Sequence, residues 1–309
     1  MTRRWRTFVS MIALVVASPL VAAPVAAASG ALPDWGCGPT AAHAQEFDVS
    51  TAPTGRGTGK YREPALDQSA RPLPRSAQGR APSSMTANVE VYFHVVTNGA
   101  EGNLTDRQIR DQITVLNATF GGREGGSATG FSFTLAGVTR TNNAKWYAAK
   151  PGAERDMKKT LKRGDDSDLN VYSTSGYLYL GWAYYPNITD TKQSYLDGIV
   201  IDWRTVPGAS DAYVGAYDQG ETLTHEAGHW LNLAHTFENG CKEPGDFVDD
   251  TPAMSVPTSG CPEGKDTCPA PGTDPIHNYM DYSFDSCYTQ FTDGQTQRMR
   301  DAWLLYRAS

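Results

Sequence analysis

The first regular pattern in the chain is an alternation of apolar and polar residues at positions 88–96. Val89, Val91, Phe93 and Val95 alternate there with Glu90, Tyr92 and His94, which predicts a strand with one buried face. Four later runs of β-branched and aromatic residues predict further strands at 130–140, 169–174, 177–186 and 197–203.

Helical patterns lie between these strands. In residues 103–120, Ile109, Ile113, Leu116 and Phe120 recur at helical spacing, and Thr105 with Gln108 forms a capping-box pattern. Other helices are predicted at 153–164, where Gly164 ends the pattern, and at 292–307. Because strands and helices interleave, the class is α/β or α+β with a mixed sheet.

The region from about residue 236 onward changes character. It is rich in Gly, Pro and Asp, and it contains four of the five cysteines, Cys241, Cys261, Cys268 and Cys287. Four cysteines can close two disulfides in three ways, and the sequence pattern leaves the choice open. Because this region has so little regular structure, we expect it to need disulfides for stability.

The N-terminal residues have a different composition from the rest. Residues 1–28 combine a basic start, a short apolar core and small residues, which predicts a secretory signal peptide rather than an uncleaved anchor. Residues 29–80 are poor in aliphatic residues and are expected to be largely flexible, as a linker or a propeptide. Arg75 and Arg80 are expected targets of proteolysis there. The folded domain is then expected at 81–309.

Composition excludes some classes of partner. The net charge is −7, and no basic stripe contradicts the expectation that the protein does not bind nucleic acid. No segment after the N-terminal leader is apolar enough to predict a stable membrane anchor. The oligomeric state is left open.

The chemical signal is the stretch ETLTHEAGHWLNLAHTF, which contains three of the six histidines. His225 and His229 are one helical turn apart, so both imidazoles project from one face, and imidazole nitrogens are typical zinc ligands. Glu226 is expected to serve as the general base toward a water molecule. Histidines satisfied on a core helix are the alternative.

The third histidine requires a break in the helix. His235 is ten residues after His225 and cannot reach the same ion if the helix continues. The chain must therefore turn sharply after His229, and Asn232 is the expected turn residue because asparagine tolerates left-handed backbone.

Downstream, the stretch HNYMDYS adds two candidates. Met280 is expected to form a turn beneath the metal, although a lone methionine is often core filling. Tyr282 could donate its hydroxyl to a developing oxyanion, and a packed tyrosine is the alternative.

Taken together, HEAGHWLNLAHTF, GDFVDDTPA, NYMDYSFDSC and FTDGQTQRMR resemble the pappalysin family of the metzincin clan. The resemblance covers roughly residues 85–307 and departs from the clan pattern at Asn232, where metzincins have glycine. It implies a metzincin-type fold: a mixed twisted sheet with two main helices in an upper subdomain (about 85–235), and an irregular, disulfide-stapled lower subdomain (about 236–309). Zinc is expected in the cleft between them.

The resemblance also implies roles for particular residues. His225, His229 and His235 would bind one catalytic zinc ion, Glu226 would be the base, and Met280 would form the Met-turn. The disulfides would be Cys241–Cys268 and Cys261–Cys287. Calcium is a possible second ion at Asp246, Asp249 and Asp250, with a solvated acidic turn as the alternative.

The expected function is therefore that of a secreted zinc endopeptidase acting on protein or peptide substrates. An edge strand at LGWAYYP would bind the substrate, and Asp281 and Asp285 would favour a basic residue just after the scissile bond. The alternatives are a non-catalytic binding protein of the same fold, and a zinc exopeptidase or amidase.

The remaining cysteine, Cys37, lies between two glycines in the expected propeptide. A thiolate is a good zinc ligand, so Cys37 is expected to bind the zinc in a latent precursor, as in relatives of the family. Cleavage in the arginine-rich segment, with Arg80 as the expected site, would then free the metal. A free or intermolecularly paired thiol is the alternative.

Overall fold

Five strands form one mixed sheet in the described part of the chain, and the helices pack on its two faces. The computed structural model describes residues 71–150 and 152–308. The predicted signal peptide, Cys37 and most of the predicted propeptide lie outside these residues.

The elements follow the predicted alternation. The strands are β1 Ala87–Thr97, β2 Phe131–Asn142, β3 Leu169–Thr174, β4 Gly181–Ala183 and β5 Ile199–Asp202. The helices are α1 Asp106–Phe120, α2 Ala144–Tyr147, α3 Ala153–Leu161, α4 Glu221–Trp230 and α5 Asp293–Tyr306. Short 3₁₀ turns lie at Pro186–Ile188, Ser194–Leu196, Trp203–Thr205 and Asp285–Cys287.

The strand order is β2-β1-β3-β5-β4, which confirms the mixed sheet. The first four strands in this order run parallel, and β4 pairs antiparallel with β5. Parallel neighbours need crossover connections, which α1 supplies between β1 and β2. The short antiparallel strand β4 therefore ends the sheet on the side where α4 lies.

Helix α1 forms as its sequence predicts. Thr105 and Gln108 make both hydrogen bonds of the capping box, and Ile109, Leu116 and Phe120 are fully buried. The helix lies beside α4, where the hydroxyls of Thr119 and Thr224 are 3.0 Å apart.

Strand β1 departs from the predicted one-sided burial. His94, expected on the polar face, is fully buried and stacks on Tyr172 at 4.7 Å between ring centroids. Its ring nitrogens contact Thr139 and Asn170, and burial lowers the pKa of His94 to about 4. The second face of the sheet is therefore also covered, by the part of the core that contains α3.

Two predicted boundaries are wrong. Only Gly181–Ala183 of the strand predicted at 177–186 is extended, because Tyr177 has a φ of +54° and Pro186 begins a 3₁₀ turn. Helix α3 ends at Leu161 rather than near Gly164, since the Asn170 side chain bonds both the N–H and the C=O of Arg163.

The region after α4 contains little regular structure until α5. Disulfides join Cys241 to Cys268 and Cys261 to Cys287, each with Cα atoms 5.5 Å apart. This is the pairing that the family resemblance implies. Each bridge closes a loop of 26 or 27 residues, a size for which cross-linking is worth roughly 3 kcal/mol in the chain-entropy model.

The end of the expected propeptide packs against α5. We call residues 71–81 the N-terminal strap. Leu73, Ala77 and Ala81 are buried. The carboxylate of Asp301 accepts three consecutive backbone N–H groups, from Gly79, Arg80 and Ala81, at 2.6, 2.9 and 2.8 Å. Among the helices within the described ranges, none is long and apolar enough to cross a bilayer.

Candidate metal centre

Helix α4 carries three of the predicted site residues and is buried along its whole length. It begins after Gly220, whose φ of +101° favours glycine. His225 and His229 project from the same face, as their spacing predicts. Glu226 is 3% exposed and lies against β4, where a Cβ added to Gly181 would come within 3.0 Å of its Cγ and Oε1.

The chain leaves α4 through a tight turn at Asn232, which has a φ of +78°. The N–H of Leu233 donates to the carbonyl of Gly228 at 2.9 Å, and the N–H of Asn232 donates to that of His229 at 2.8 Å. These two bonds define a Schellman motif with asparagine at its left-handed position. The turn reverses the chain and brings His235 back to the other two histidines.

The three imidazoles meet at their Nε2 atoms. Nε2 of His229 is 3.1 Å from Nε2 of His225 and 3.1 Å from Nε2 of His235. Nδ1 of His225 lies 2.6 Å from the carbonyl oxygen of Tyr279, and Nδ1 of His229 lies 2.7 Å from that of Leu233. Because a carbonyl oxygen only accepts, Nδ1 of His225 and Nδ1 of His229 each donate a proton there, and the Nε2 of each ring presents a lone pair.

This arrangement fits a zinc ion. Lone pairs facing one another across 3.1 Å repel, and a cation between them removes the repulsion. Tetrahedral zinc with bonds of 2.0–2.1 Å would separate its nitrogen ligands by about 3.3 Å, close to the spacing present. The carbonyls behind His225 and His229 supply the outer hydrogen bonds that orient metal-bound imidazoles.

Met280 lies directly beneath α4 and is fully buried. A Cβ added to Gly228 would overlap its sulfur atom. The carbonyl of Met280 also accepts the N–H of Thr236 at 3.2 Å, one residue after His235. Met280 therefore contacts the residues next to two of the histidines, and Gly228 is the contact that sequence reasoning missed.

A cleft of about 410 Å³, including its opening to solvent, lies beside the histidines. Its lining comes from β4, α4 and the segment after Met280, and it includes Leu180, Gly181, Tyr217, Glu221, His225, Glu226, Tyr282, Asp285 and Tyr288. The ring of Tyr282 lies 5.0 Å from that of His235 and 5.6 Å from that of His225. The cleft thus joins the predicted base, His225 and the predicted oxyanion donor.

Two buried carboxyls face one another at the floor of this cleft. Burial first, and then the charge of Asp285, raises the pKa of Glu221 well above its usual range. Burial likewise raises the pKa of Asp285 to about 7, although its carboxylate accepts N–H groups from Gln219 and Gly220. A protonated Glu221 therefore donates to Asp285. Sequence reasoning missed Glu221, which looks like an ordinary first-turn acid.

Other expected ligands are not brought together. Among the described residues, Asp246, Asp249 and Asp250 do not form a three-ligand cluster. Asp246 is buried and accepts from Thr251, and Asp250 accepts from Thr292 and Gly294 at the start of α5. A second cluster, Cys261, His277 and Cys287, offers no thiolate because its two sulfurs form a disulfide. Cys37 lies outside the described residues.

Comparisons with known proteins point to peptidases. Residues 181–303 match the family model Peptidase_M43, described as Pregnancy-associated plasma protein-A. An extracellular metalloprotease of Arthroderma benhamiae is 45% identical over 234 residues, which cover 73% of this chain and 76% of the relative. One from Sordaria macrospora is 38% identical over 303 residues, covering 96% of this chain and 97% of the relative.

Solved structures agree. Mature mirolysin of Tannerella forsythia, in complex with a cleaved peptide, matches with a TM-score of 0.60 at 31% identity and covers 70% of this chain and 91% of mirolysin. A promirolysin variant from the same organism matches with a TM-score of 0.63 at 29% identity, covering 74% and 83%.

The contact between Gly228 and Met280 generates a prediction. In Gly228→Ala, the new methyl group would overlap the sulfur, so Met280 or α4 must move. We expect a loss of about 1–3 kcal/mol of stability, the usual cost of overpacking, and weaker zinc binding. Thermal unfolding and zinc titration measure both effects. Gly137→Ala is the matched control, because its added Cβ would make only an ordinary contact with Tyr92 at 3.4 Å. Unchanged zinc affinity in Gly228→Ala would contradict the packing role.

Proposed function

The chain belongs to the pappalysin family of metzincin metalloproteases, and from this premise we propose that it is a secreted zinc endopeptidase. The observation that carries the proposal is the meeting of three Nε2 atoms beside Glu226 in an open cleft, with Nε2 of His229 3.1 Å from each of the other two. Secretion is supported by the predicted signal peptide and by relatives that are named extracellular.

His225, His229 and His235 would hold the zinc ion. When bound there, zinc would lower the pKa of a water molecule and polarise the scissile carbonyl. Glu226 takes a proton from the attacking water and passes it to the leaving amine. Its burial against Gly181 keeps the carboxylate directed along the cleft. The Tyr282 hydroxyl donates to the oxyanion that develops on the substrate.

Strand β4 supports cleavage of internal bonds. It ends the sheet, and Leu180 and Gly181 line the cleft beside Glu226. An extended peptide can pair with such an edge through backbone hydrogen bonds. An exopeptidase or amidase would instead bind a chain terminus, and a non-catalytic binding protein would not need Glu226.

The two acids at the cleft floor support a substrate preference. We propose that the pocket formed by Glu221 and Asp285 accepts a basic side chain just after the scissile bond. Both carboxyls are buried, and each has an oxygen without a hydrogen-bond partner, Oε2 of Glu221 and Oδ1 of Asp285. A lysine or arginine head group would satisfy them. Asp281, the second expected residue, instead accepts the N–H of Thr258 and does not line the pocket.

We further propose that the enzyme is made as a latent precursor, with the Cys37 thiolate on the zinc. A pro-form of mirolysin is among the structures similar to this chain. We place the activating cleavage before Leu73 rather than after Arg80. The side chains of Arg75 and Arg80 are exposed, but the backbone from Gly79 to Ala81 is held by Asp301 and would have to detach before a protease could cut it.

Calcium at Asp246, Asp249 and Asp250 stays a prediction of the family resemblance. A loss of thermal stability in a calcium-selective chelator, reversed by added calcium, would support it. Identical unfolding curves with and without the chelator would contradict it.

The role of Glu226 predicts the behaviour of Glu226→Gln. Removing the general base should lower kcat by about 10²–10⁴-fold, the usual contribution of acid–base catalysis. Zinc content measured by mass spectrometry should stay at one ion, because the histidines are intact. Glu90→Gln, on an exposed part of β1, is the control. Undiminished cleavage of casein by Glu226→Gln would disprove the peptidase mechanism, and products trimmed only from chain ends would favour an exopeptidase.

The acidic pocket predicts a change of specificity in Asp285→Asn. We expect kcat/KM for peptides with Lys or Arg after the scissile bond to fall by about tenfold or more, since one charge-assisted hydrogen bond is worth roughly 1.5–3 kcal/mol. Peptides with Leu there should be cut nearly as before. Asp281→Asn is the control, as a buried aspartate outside the pocket. A peptide library without any basic preference in the wild type would dismiss the proposal.

Latency predicts that a Cys37→Ser precursor cleaves a quenched peptide without prior processing, whereas the wild-type precursor does not. Thr40→Ala, in the same segment, should stay latent. The N-terminus of the activated enzyme, read by mass spectrometry, should lie before Leu73. A Cys37→Ser precursor as latent as the wild type would refute the thiolate switch, and a mature N-terminus at Ala81 would refute the placement of the cleavage.

A further inference from the structure

Two buried arginines, Arg298 in α5 and Arg307 directly after it, reach the exit of the metal-binding helix. Arg298 is 7% exposed, and its Nε donates to the carbonyl of Asn232 at 2.8 Å. Arg307 is 1% exposed and donates to the carbonyl of Trp230, the last residue of α4, at 2.9 and 3.1 Å. Both carbonyls lie beyond the reach of the helical hydrogen-bond ladder, which ends here.

We propose that Arg298 is a positioning residue for the metal centre, holding the left-handed turn that brings His235 to the other two histidines. The inference rests on the zinc site proposed above. It assigns a function to a residue more than sixty positions from the metal motif in sequence, outside the cleft.

The contacts of Asn232 explain why its carbonyl matters. A φ of +78° costs free energy for any residue other than glycine, of the order of 1 kcal/mol for asparagine. The N–H of Asn232 already donates within the Schellman motif, so its carbonyl is the backbone group through which another residue can hold the turn. A buried carbonyl without a donor costs about 1–3 kcal/mol, and Arg298 removes that cost only while the turn keeps its shape.

The peptide between Asn232 and Leu233 is connected to two of the proposed metal ligands, His229 and His235. Asn232 is followed by Leu233, whose carbonyl accepts a hydrogen bond from Nδ1 of His229 at 2.7 Å. His235 comes two residues later, with Thr236 fixed to the carbonyl of Met280. A rotation of the 232–233 peptide would therefore move the outer hydrogen bond of His229 and the backbone that carries His235.

Arg298 is itself held firmly. Its guanidinium lies over the ring of Phe247 at 5.1 Å and donates to the carbonyl of Arg71 at 2.8 Å. One side chain thus links the N-terminal strap, α5 and the turn at Asn232. This linkage gives the strap a structural role in a mature enzyme that retains Arg71, so the activating cleavage lies before that residue.

The test compares two buried arginines of α5 in the mature enzyme. Arg300 is 9% exposed and donates to the carbonyl of Thr129, away from the histidines. We expect R298M to weaken zinc binding by about 10–100-fold, the usual effect of losing an outer-shell partner. R300M should lose stability without a comparable change in zinc affinity. The measurements are the zinc dissociation constant, by competition with a chromophoric chelator, and thermal unfolding with and without zinc.

Kinetics provide a second readout. In R298M, kcat at limiting zinc should fall and recover at saturating zinc, whereas KM should change little. R298K retains a charge and one donor for the Asn232 carbonyl, so its zinc affinity should lie between those of the wild type and R298M. If R298M unfolds, R298K replaces it in the test. Wild-type zinc affinity in folded R298M, or in R298K where R298M unfolds, would overturn the inference. A wild-type enzyme that binds no zinc at all would instead overturn the proposed function.

Discussion

The rest of the site depends on the reversal of the chain at Asn232. A straight helix can present only two histidines to one point, so a third nitrogen requires the backbone to leave α4 within one turn of His229. The Schellman bonds satisfy the carbonyls of Gly228 and His229. Arg307, directly after α5, satisfies that of Trp230, and Arg298 satisfies that of Asn232. Each hydrogen bond is modest by itself, but together they hold an unfavourable backbone conformation that no single contact would maintain.

Backbone hydrogen bonds and close contacts at glycines also shape the surroundings of the histidines. Backbone carbonyls orient two of the imidazoles, and the hydroxyl of Tyr185 also lies 3.3 Å from Nδ1 of His229. Glycine at 228 and 181 lets a methionine and a glutamate approach α4 and β4 more closely than any Cβ would allow. The short strand β4 then places a sheet edge beside Glu226, and Glu221 and Asp285 line the same cleft. Catalysis and substrate selection are in this way proposed for adjacent parts of one cleft.

The N-terminal strap is held on α5 by backbone hydrogen bonds. Three consecutive N–H groups on Asp301 form a stronger attachment than the composition of residues 29–80 suggests. Composition reports the average tendency of a segment to fold. In the strap, three buried apolar residues (Leu73, Ala77 and Ala81) and the carboxylate of Asp301 hold the chain in place. The strap, α5 and the metal-bearing turn therefore form one connected body through Arg298.

The sequence by itself determined the elements whose signals are local. The capping box of α1, the one-turn spacing of His225 and His229, and the need for a left-handed residue near Asn232 all follow from backbone geometry within a few positions. The mixed sheet and the metalloprotease family could also be read from pattern and motif. Tertiary structure alone decided the burial of His94, the shortness of β4, the pairing of Glu221 with Asp285 and the role of Arg298. These depend on residues that are far apart in the chain, and neither periodicity nor spacing records which distant carbonyl, carboxyl or ring will lie opposite a given side chain once the chain has packed.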